Sequence, residues 1–235
     1  MSFPCVKSSV ASAAKDRSRT IEVQNNQVIK AGITLYNHEV NNMRFIAEHT
    51  TIPVPKVHKV ETDKDGKVLK IYMDYMPGTS LDEAWSTMTE AEKRSVANDL
   101  CNYIHQMRSL KGVYIGAADR GQAVIGQHVF HEVLQVISKV PDIFKYHAAK
   151  VFKENHEIVF THSDLAPRNI LVRDGHVTGI LDWEHAGWYP EYWEYERAYR
   201  HFNDVSGWLD YVDIFLPRKY SEEIVAMSYL SKYSR

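Results

Sequence analysis

Cysteine is nearly absent from this sequence: Cys5 and Cys101 are the only two in 235 residues, and neither has metal-ligand company nearby. A disulfide-stapled scaffold is excluded, and a reducing compartment, the cytoplasm, is the expected location. No apolar run approaches the ~20 residues that a membrane span needs, so no membrane role is expected. Charge of one sign is also missing, since 28 Lys and Arg against 30 Asp and Glu leave a formal net charge of −2. Without a collective field to gather phosphates, nucleic acid is not an expected partner. Glycine is lacking at one place in particular, with none before Lys30. What remains is ordinary: 44% hydrophobic and 25% charged residues exclude disordered and collagen-like chains. At ~150 residues per domain, the length suits one large domain or two small lobes sharing a cleft.

The first 18 residues are rich in Ser, Ala and basic residues, with no acid before Asp16. They share that make-up with transit peptides but lack an amphipathic stripe, so a mobile cytosolic terminus is expected over 1–18. From Thr20 to Lys30, two alternating runs flank Asn25-Asn26 and read as a tight hairpin. Val40, Met43 and Ile46 then recur at helical spacing within 37–49. Ile52-Pro53-Val54-Pro55 forces extended chain, and a second hairpin follows, ended by Met76-Pro77-Gly78. Beyond it the pattern turns helical. Thr89 and Glu92 form a capping box ahead of Val96, Leu100, Ile104 and Met107. Two more helices are expected over 129–140 and 143–153. A strand-and-hairpin block at 158–182 interrupts the helices, with its turn at Asp174-Gly175, and helix resumes from Pro190. The expected fold is α+β and bilobal, with a strand-rich N-lobe over 19–76 and a larger helical C-lobe over 77–235.

Polar residues concentrate in that interrupting block. His162-Ser163-Asp164 and Asn169 fit H-x-D-x-x-x-x-N, and Asp182 closes the hairpin that follows. A loop, a hairpin and a strand end would bring Asp164, Asn169 and Asp182 to one edge. Two aspartates and an oxygen-bearing amide are what phosphoryl transfer requires. Asp164 would orient an acceptor hydroxyl and take its proton, while Asn169 and Asp182 would hold Mg²⁺ on nucleotide phosphates. The bland alternative is a capped turn, a satisfied loop and a strand end. The apolar strand before the motif and the D-G hairpin after it favour the functional reading.

The run from Thr161 to Val172, followed by Gly179-Ile180-Leu181-Asp182-Trp183-Glu184, resembles the aminoglycoside phosphotransferase and choline-kinase-like family. These enzymes are distant relatives of protein kinases. The continuation HAGWYPEYWEYERAYR, together with Ile52 to Val57 and Tyr72 to Gly78, is similar to a fungal-type subgroup of that family. The resemblance covers about residues 27–200. It implies a protein-kinase-like fold with an abbreviated N-lobe, ATP and Mg²⁺ as cofactors, and transfer of the γ-phosphate to a small-molecule hydroxyl. It makes Asp164 the catalytic aspartate and Asn169 with Asp182 the metal pair. Lys30 matches the phosphate-gripping lysine, and Glu39 its ion-pair partner. Asp74, Tyr75 and Met76 occupy the hinge whose backbone meets the base. His162 is expected to support the catalytic loop rather than carry protons. Arg168 reaches phosphate or acceptor, or is simply an exposed loop arginine.

Two departures accompany the resemblance. Ser163 stands where the family usually has glycine, and Ser8 to Ser12 is the candidate for a serine-bearing phosphate loop in place of a glycine-rich one. That second departure keeps a degenerate kinase-like binding protein as the alternative function. A protein kinase is disfavoured, because Ser163 replaces their arginine and no D-F-G or A-P-E segment exists. Trp183, Trp188, Tyr189, Tyr192 and Trp193 read either as a cage for a cationic amine or, more commonly, as core. From Asp182 onward 10 acids face 6 bases, a mild lean toward a cationic acceptor. Nothing in the sequence fixes the oligomeric state.

Overall fold

The computed structural model describes residues 19–119, 146, 150–151, 156–201 and 204–230. Strands β1 (Arg19–Gln24) and β2 (Gln27–Gly32) meet at Asn25 and Asn26, whose φ values of 50° and 61° make the mirror-image turn that a right-twisted hairpin favours. Helix α1 (Asn37–His49) follows and buries Val40, Met43 and Ile46, the residues whose spacing announces it. The prolines of 52–55 then deliver the chain to β3 (Val57–Thr62) and β4 (Val68–Asp74). The four strands form one antiparallel sheet in the order β1-β2-β4-β3.

Register decides what this sheet offers to the rest of the molecule. Partnered residues share a face, so Ile21, Lys30, Ile71 and Val60 form one row, and Val23, Val28, Met73 and Val57 the next. Ile71 is fully buried in that row, whereas Ile21 and Val23 are 61% and 52% exposed. The face is therefore apolar apart from Lys30 and Arg19, covered at one end and open at the other.

After Met76-Pro77-Gly78 the chain enters the second lobe. Gly78 has φ 145°, and a Cβ there would lie 2.5 Å from Thr178 Oγ1 and 3.0 Å from the Val172 carbonyl oxygen. Only glycine allows this crossing. A short β5 (Thr79–Ser80) and α2 (Leu81–Ala84) lead to α3 (Glu90–Ser109), which buries Val96, Leu100, Ile104 and Met107. Both halves of the Thr89–Glu92 capping box are formed at its start. Two three-stranded sheets complete the lobe. One joins β5 to the hairpin of β8 (Ile170–Arg173) and β9 (His176–Ile180), in the order β5-β8-β9. The other sets β7 (Ile158–Thr161) between β6 (Lys111–Gly112) and β10 (Gly187–Pro190).

Sequence reading does not anticipate β10. Its four residues, Gly-Trp-Tyr-Pro, are all buried, so no alternation betrays a strand. Helices α4 (Trp193–Arg200), α5 (Trp208–Phe215) and α6 (Ser221–Leu230) close the chain. The five aromatic residues at 183–193 are core: none exceeds 8% exposure, and Tyr189 stacks on Trp193 at 5.3 Å. The cage alternative is thereby set aside. Expected features at 1–18, among them Ser8 to Ser12, and at 129–140 lie outside the described residues. Of the expected helix at 143–153, only Tyr146, Lys150 and Val151 are described, all helical. Among the described residues, no helix is long and apolar enough to cross a membrane.

Candidate active site

The chain leaves β7 at Thr161 and turns sharply through Ser163, which sits at φ 67°. A non-glycine residue in the left-handed region costs about 1 kcal/mol, so the turn must be held from outside. Buried Glu194 of α4 holds it, its Oε2 accepting the His162 amide at 2.6 Å and the Ser163 amide at 3.3 Å. Arg197 Nε, one turn later, donates to the Ser163 carbonyl at 2.8 Å. Ser163 Oγ and Thr161 Oγ1 lie 2.9 Å apart. Three partner residues, through four hydrogen bonds, therefore fix a position where glycine would bend freely.

His162 is wholly buried beneath this turn. One ring nitrogen, Nε2, meets the Leu181 carbonyl at 2.9 Å, and Nδ1 accepts the Asp164 amide at 3.2 Å. Burial pushes its pKa down to about 4, against the pull of Asp164, so the ring is neutral near pH 7. It ties the loop to the strand end that carries Asp182.

Asp164 meets three donors. Oδ2 accepts from Arg168 Nη2 at 2.7 Å and Asn169 Nδ2 at 2.9 Å, and Oδ1 lies 3.1 Å from His201 Nε2. Burial alone would raise its pKa. The His201 hydrogen bond and the Arg168 charge outweigh burial and hold the carboxyl well below the usual carboxylate range. Behind these donors stands Asp204, 3.1 Å from His201 Nδ1 and 3.5 Å from Arg168 Nη1. Arg168 is thus neither a free loop arginine nor aimed only at solvent. Asn169 also donates Nδ2 to the Asp164 carbonyl at 2.9 Å, so both of its side-chain bonds among the described residues use nitrogen. Its Oδ1 is the atom with ligating capacity.

Asp182 follows β9 in the left-handed region, at φ 62° and ψ 63°. Its Oδ1 lies 3.0 Å from Lys30 Nζ, and the same nitrogen lies 2.8 Å from Glu39 Oε1. The sequence-expected lysine, glutamate and aspartate therefore meet directly across 152 residues. Burial tends to lower the Lys30 pKa, but the Glu39 and Asp182 charges raise it overall. The ammonium in turn draws the Asp182 carboxyl down. Buried Asn42 anchors α1 beside them, donating Nδ2 to the Trp183 and Ala186 carbonyls at 2.9 and 2.8 Å. Leu181 joins the two halves of the site, its amide donating to the Asn169 carbonyl at 2.8 Å.

The segment Asp74 to Met76, expected from the resemblance as a hinge, takes part in none of this cluster's hydrogen bonds among the described residues. Asp74 spends its carboxylate on His58 Nε2 at 2.6 Å and the Lys56 amide at 3.4 Å. Its amide goes to the Lys56 carbonyl, and that of Tyr75 to the Asn26 carbonyl. Met76 makes no amide hydrogen bond among the described residues, and its side chain packs beside Gly179. An amide without a partner among the described residues thus follows β4, three residues beyond Met73 of the Val23–Val28–Met73 row.

Carboxylate oxygens of Glu39, Asp182 and Glu184 all lie within 4.8 Å of one another, and Glu39 Oε2 is buried without a hydrogen-bond partner. Hard oxygen donors at this density fit a Mg²⁺ ion. Sequence reading gives no role to His201, Asp204, Glu194, Glu184 or Arg19, which enter the site from a strand, a helix and turns elsewhere in the fold. Glu184 had one signal, its place two residues after Asp182.

A sequence model of the phosphotransferase enzyme family matches residues 35–213. An aminoglycoside 3'-phosphotransferase of Enterococcus faecalis is 33% identical over 70 residues, a stretch covering 30% of this chain and 26% of that relative. Among solved structures, the fold is similar to the ADP-bound aminoglycoside phosphotransferase APH(2'')-Ib, with a TM-score of 0.63 at 14% identity. That match covers 93% of this chain and 79% of the other. A thermostable mutant of APH(4)-Ia, in ternary complex with AMP-PNP and hygromycin B, gives a TM-score of 0.58 at 11% identity, over 95% and 92% of the two chains. The two-lobed α+β architecture is that of the protein-kinase-like fold, and the chain belongs to the phosphotransferase enzyme family.

Proposed function

We propose that this chain is an ATP- and Mg²⁺-dependent phosphotransferase that moves the γ-phosphate to a hydroxyl of a small molecule. The observation that carries the reading is the convergence of Lys30, Glu39 and Asp182 with Asp164 and Asn169 on one edge between the lobes. The apolar row of Val23, Val28 and Met73 suits a planar base, and the Met76 amide suits its hydrogen-bonding edge. Lys30, already charged and tethered by Glu39, offers its ammonium to the phosphates that extend from there. Asn169 and Asp182 would hold the metal, which supplies charge neutralisation on the polyphosphate. Asp164 stays ionised at any physiological pH and so presents acceptor lone pairs rather than a proton. An acceptor hydroxyl hydrogen-bonds to it, is turned toward the γ-phosphorus, and passes its proton to the carboxylate as the new O–P bond forms. The bond from that phosphorus to the β–γ bridging oxygen breaks, with ADP as the leaving group.

Several solved neighbours hold aminoglycosides, among them gentamicin and kanamycin. They support a polyhydroxylated small molecule as the acceptor class here, and the acidic excess beyond Asp182 supports a cationic one. Incubating the protein with Mg·ATP and a panel of amino-alcohols, sugars and aminoglycosides should release ADP with at least one of them. Asp164→Ala should then lower turnover by ~100-fold or more. Turnover that survives this substitution assigns the base elsewhere. An absence of nucleotide binding by calorimetry would leave a degenerate binding protein as the better reading.

A further inference from the structure

Arg19 stands on the cleft face of the first sheet. The pairs Arg19↔Gly32, Ile21↔Lys30 and Val23↔Val28 put Arg19 on the same side as Lys30, one pleat further from the hinge. Two contacts orient its guanidinium: Nε donates to Thr34 Oγ1 at 2.8 Å, and Nη2 to the Thr34 carbonyl at 3.0 Å. The third nitrogen, Nη1, lies 2.6 Å from Glu184 Oε2, across the cleft and two residues beyond Asp182. Burial works to lower the Arg19 pKa, but the charges of Glu184, Asp182 and Glu39 raise it, so the group belongs to the same acidic edge as Lys30. Two cations from neighbouring strands thus face three carboxylates, and each cation is already paired.

The described hairpin that carries Lys30 turns at Asn25-Asn26 and has no glycine between Arg19 and Lys30, so it offers phosphate no glycine-rich loop of backbone amides. A guanidinium carries five N–H donors in a fork that matches phosphate oxygens two at a time. We propose that Arg19 is a second phosphate-binding cation of this cleft, exchanging Glu184 for a polyphosphate oxygen when Mg·nucleotide enters. The exchange is balanced in charge. A divalent ion held by Asn169 and Asp182 would supply positive charge beside the Glu184 carboxylate that Arg19 releases, Lys30 would stay tethered by Glu39, and the phosphates would bring negative charge to the two cations. Thr34 keeps the guanidinium aimed while it changes partner. The proposal rests on the phosphotransferase reading above.

Calorimetric titration separates the two. Wild type, Arg19→Ala and Arg19→Lys are each titrated with Mg·ATP, Mg·GTP, adenosine and guanosine. The expected result is a loss of about tenfold or more in triphosphate affinity for Arg19→Ala, the scale of one charge-assisted hydrogen bond. Nucleoside affinity should stay within about twofold, and Arg19→Lys should recover part of the loss. Equal losses on triphosphate and nucleoside would mean a salt bridge that merely braces the lobes, and would overturn the proposal. Unchanged triphosphate affinity would overturn it as well, with the phosphotransferase reading intact. If wild type binds neither triphosphate, both fall together.

Discussion

His201 shows how much of the site is carried by residues that no motif points to. Its two ring nitrogens each lie 3.1 Å from a carboxylate oxygen, Asp164 Oδ1 on one side and Asp204 Oδ2 on the other. Asp164 Oδ2 already takes two donors, Arg168 and Asn169, so under the proposed function Oδ1 is the oxygen whose remaining lone pair would meet an acceptor hydroxyl. His201 sets the direction of that lone pair. His201→Ala should therefore lower kcat for ADP release by about tenfold or more while leaving KM for Mg·ATP within about twofold. His201→Gln, which restores a donor, should recover part of kcat. A change confined to KM would show that His201 touches the nucleotide side instead. Ser163 teaches the complementary lesson at the same scale. Its φ of 67° explains why glycine suits this position, yet the bonds from Glu194, Arg197 and Thr161 let serine occupy it. The sequence shows the odd residue but not the three partners that compensate it, because they come from elsewhere in the fold.

Elements were legible where their cause is local. The Asn25-Asn26 hairpin, the α3 capping box and the Asp174-Gly175 turn each rest on residues within four positions of one another, and each forms as its sequence indicates. The Lys30–Glu39 pair came from family resemblance, since nothing in the spacing shows that a strand lysine and a helix glutamate meet. Strand β10 was hidden because burial on both faces erases alternation. The crossing at Gly78 lies between these cases: a breaker is evident in Met76-Pro77-Gly78, but its packing partner is not. A Cβ at Gly78 would meet Thr178 Oγ1 and the Val172 carbonyl, at a φ of 145° that L side chains rarely adopt. Gly78→Ala should therefore destabilise the protein by at least ~2 kcal/mol, combining steric and backbone costs. Urea unfolding measures this directly. Because β5 pairs with β8 immediately beyond Gly78, protection of the Val172 amide against hydrogen exchange should fall as well. A loss under ~0.5 kcal/mol would mean that the crossing relaxes around the methyl group.

At the scale of the whole molecule, the same buried groups that shape the Thr161–Asn169 loop make stability depend on pH. His162 has a folded pKa of about 4 against an ordinary value of 6.5, lowered by burial. Between those values the unfolded chain binds a proton that the folded chain refuses, so stability rises with pH across this window. The contribution is fully present above pH ~6.5 and is lost progressively as pH falls toward 4, by ~3 kcal/mol at most. His38 and His185 are shifted the same way by burial and add to the slope. Glu194 opposes it: burial raises its carboxyl, and a raised acid contributes stability that fades as pH climbs through its folded value. A wild-type profile therefore mixes several groups, and a single substitution has to isolate one. His162→Gln removes the imidazole while leaving the other groups in place. Urea midpoints converted to free energies at pH 7.5 and 5.0 should show wild type losing ~2 kcal/mol more than the variant over that interval. The absolute stability of the variant does not enter the comparison. An equal pH loss in the two proteins would mean that His162 takes up its proton in the folded state, and that its ring is not the neutral brace between the Asp164 amide and the Leu181 carbonyl.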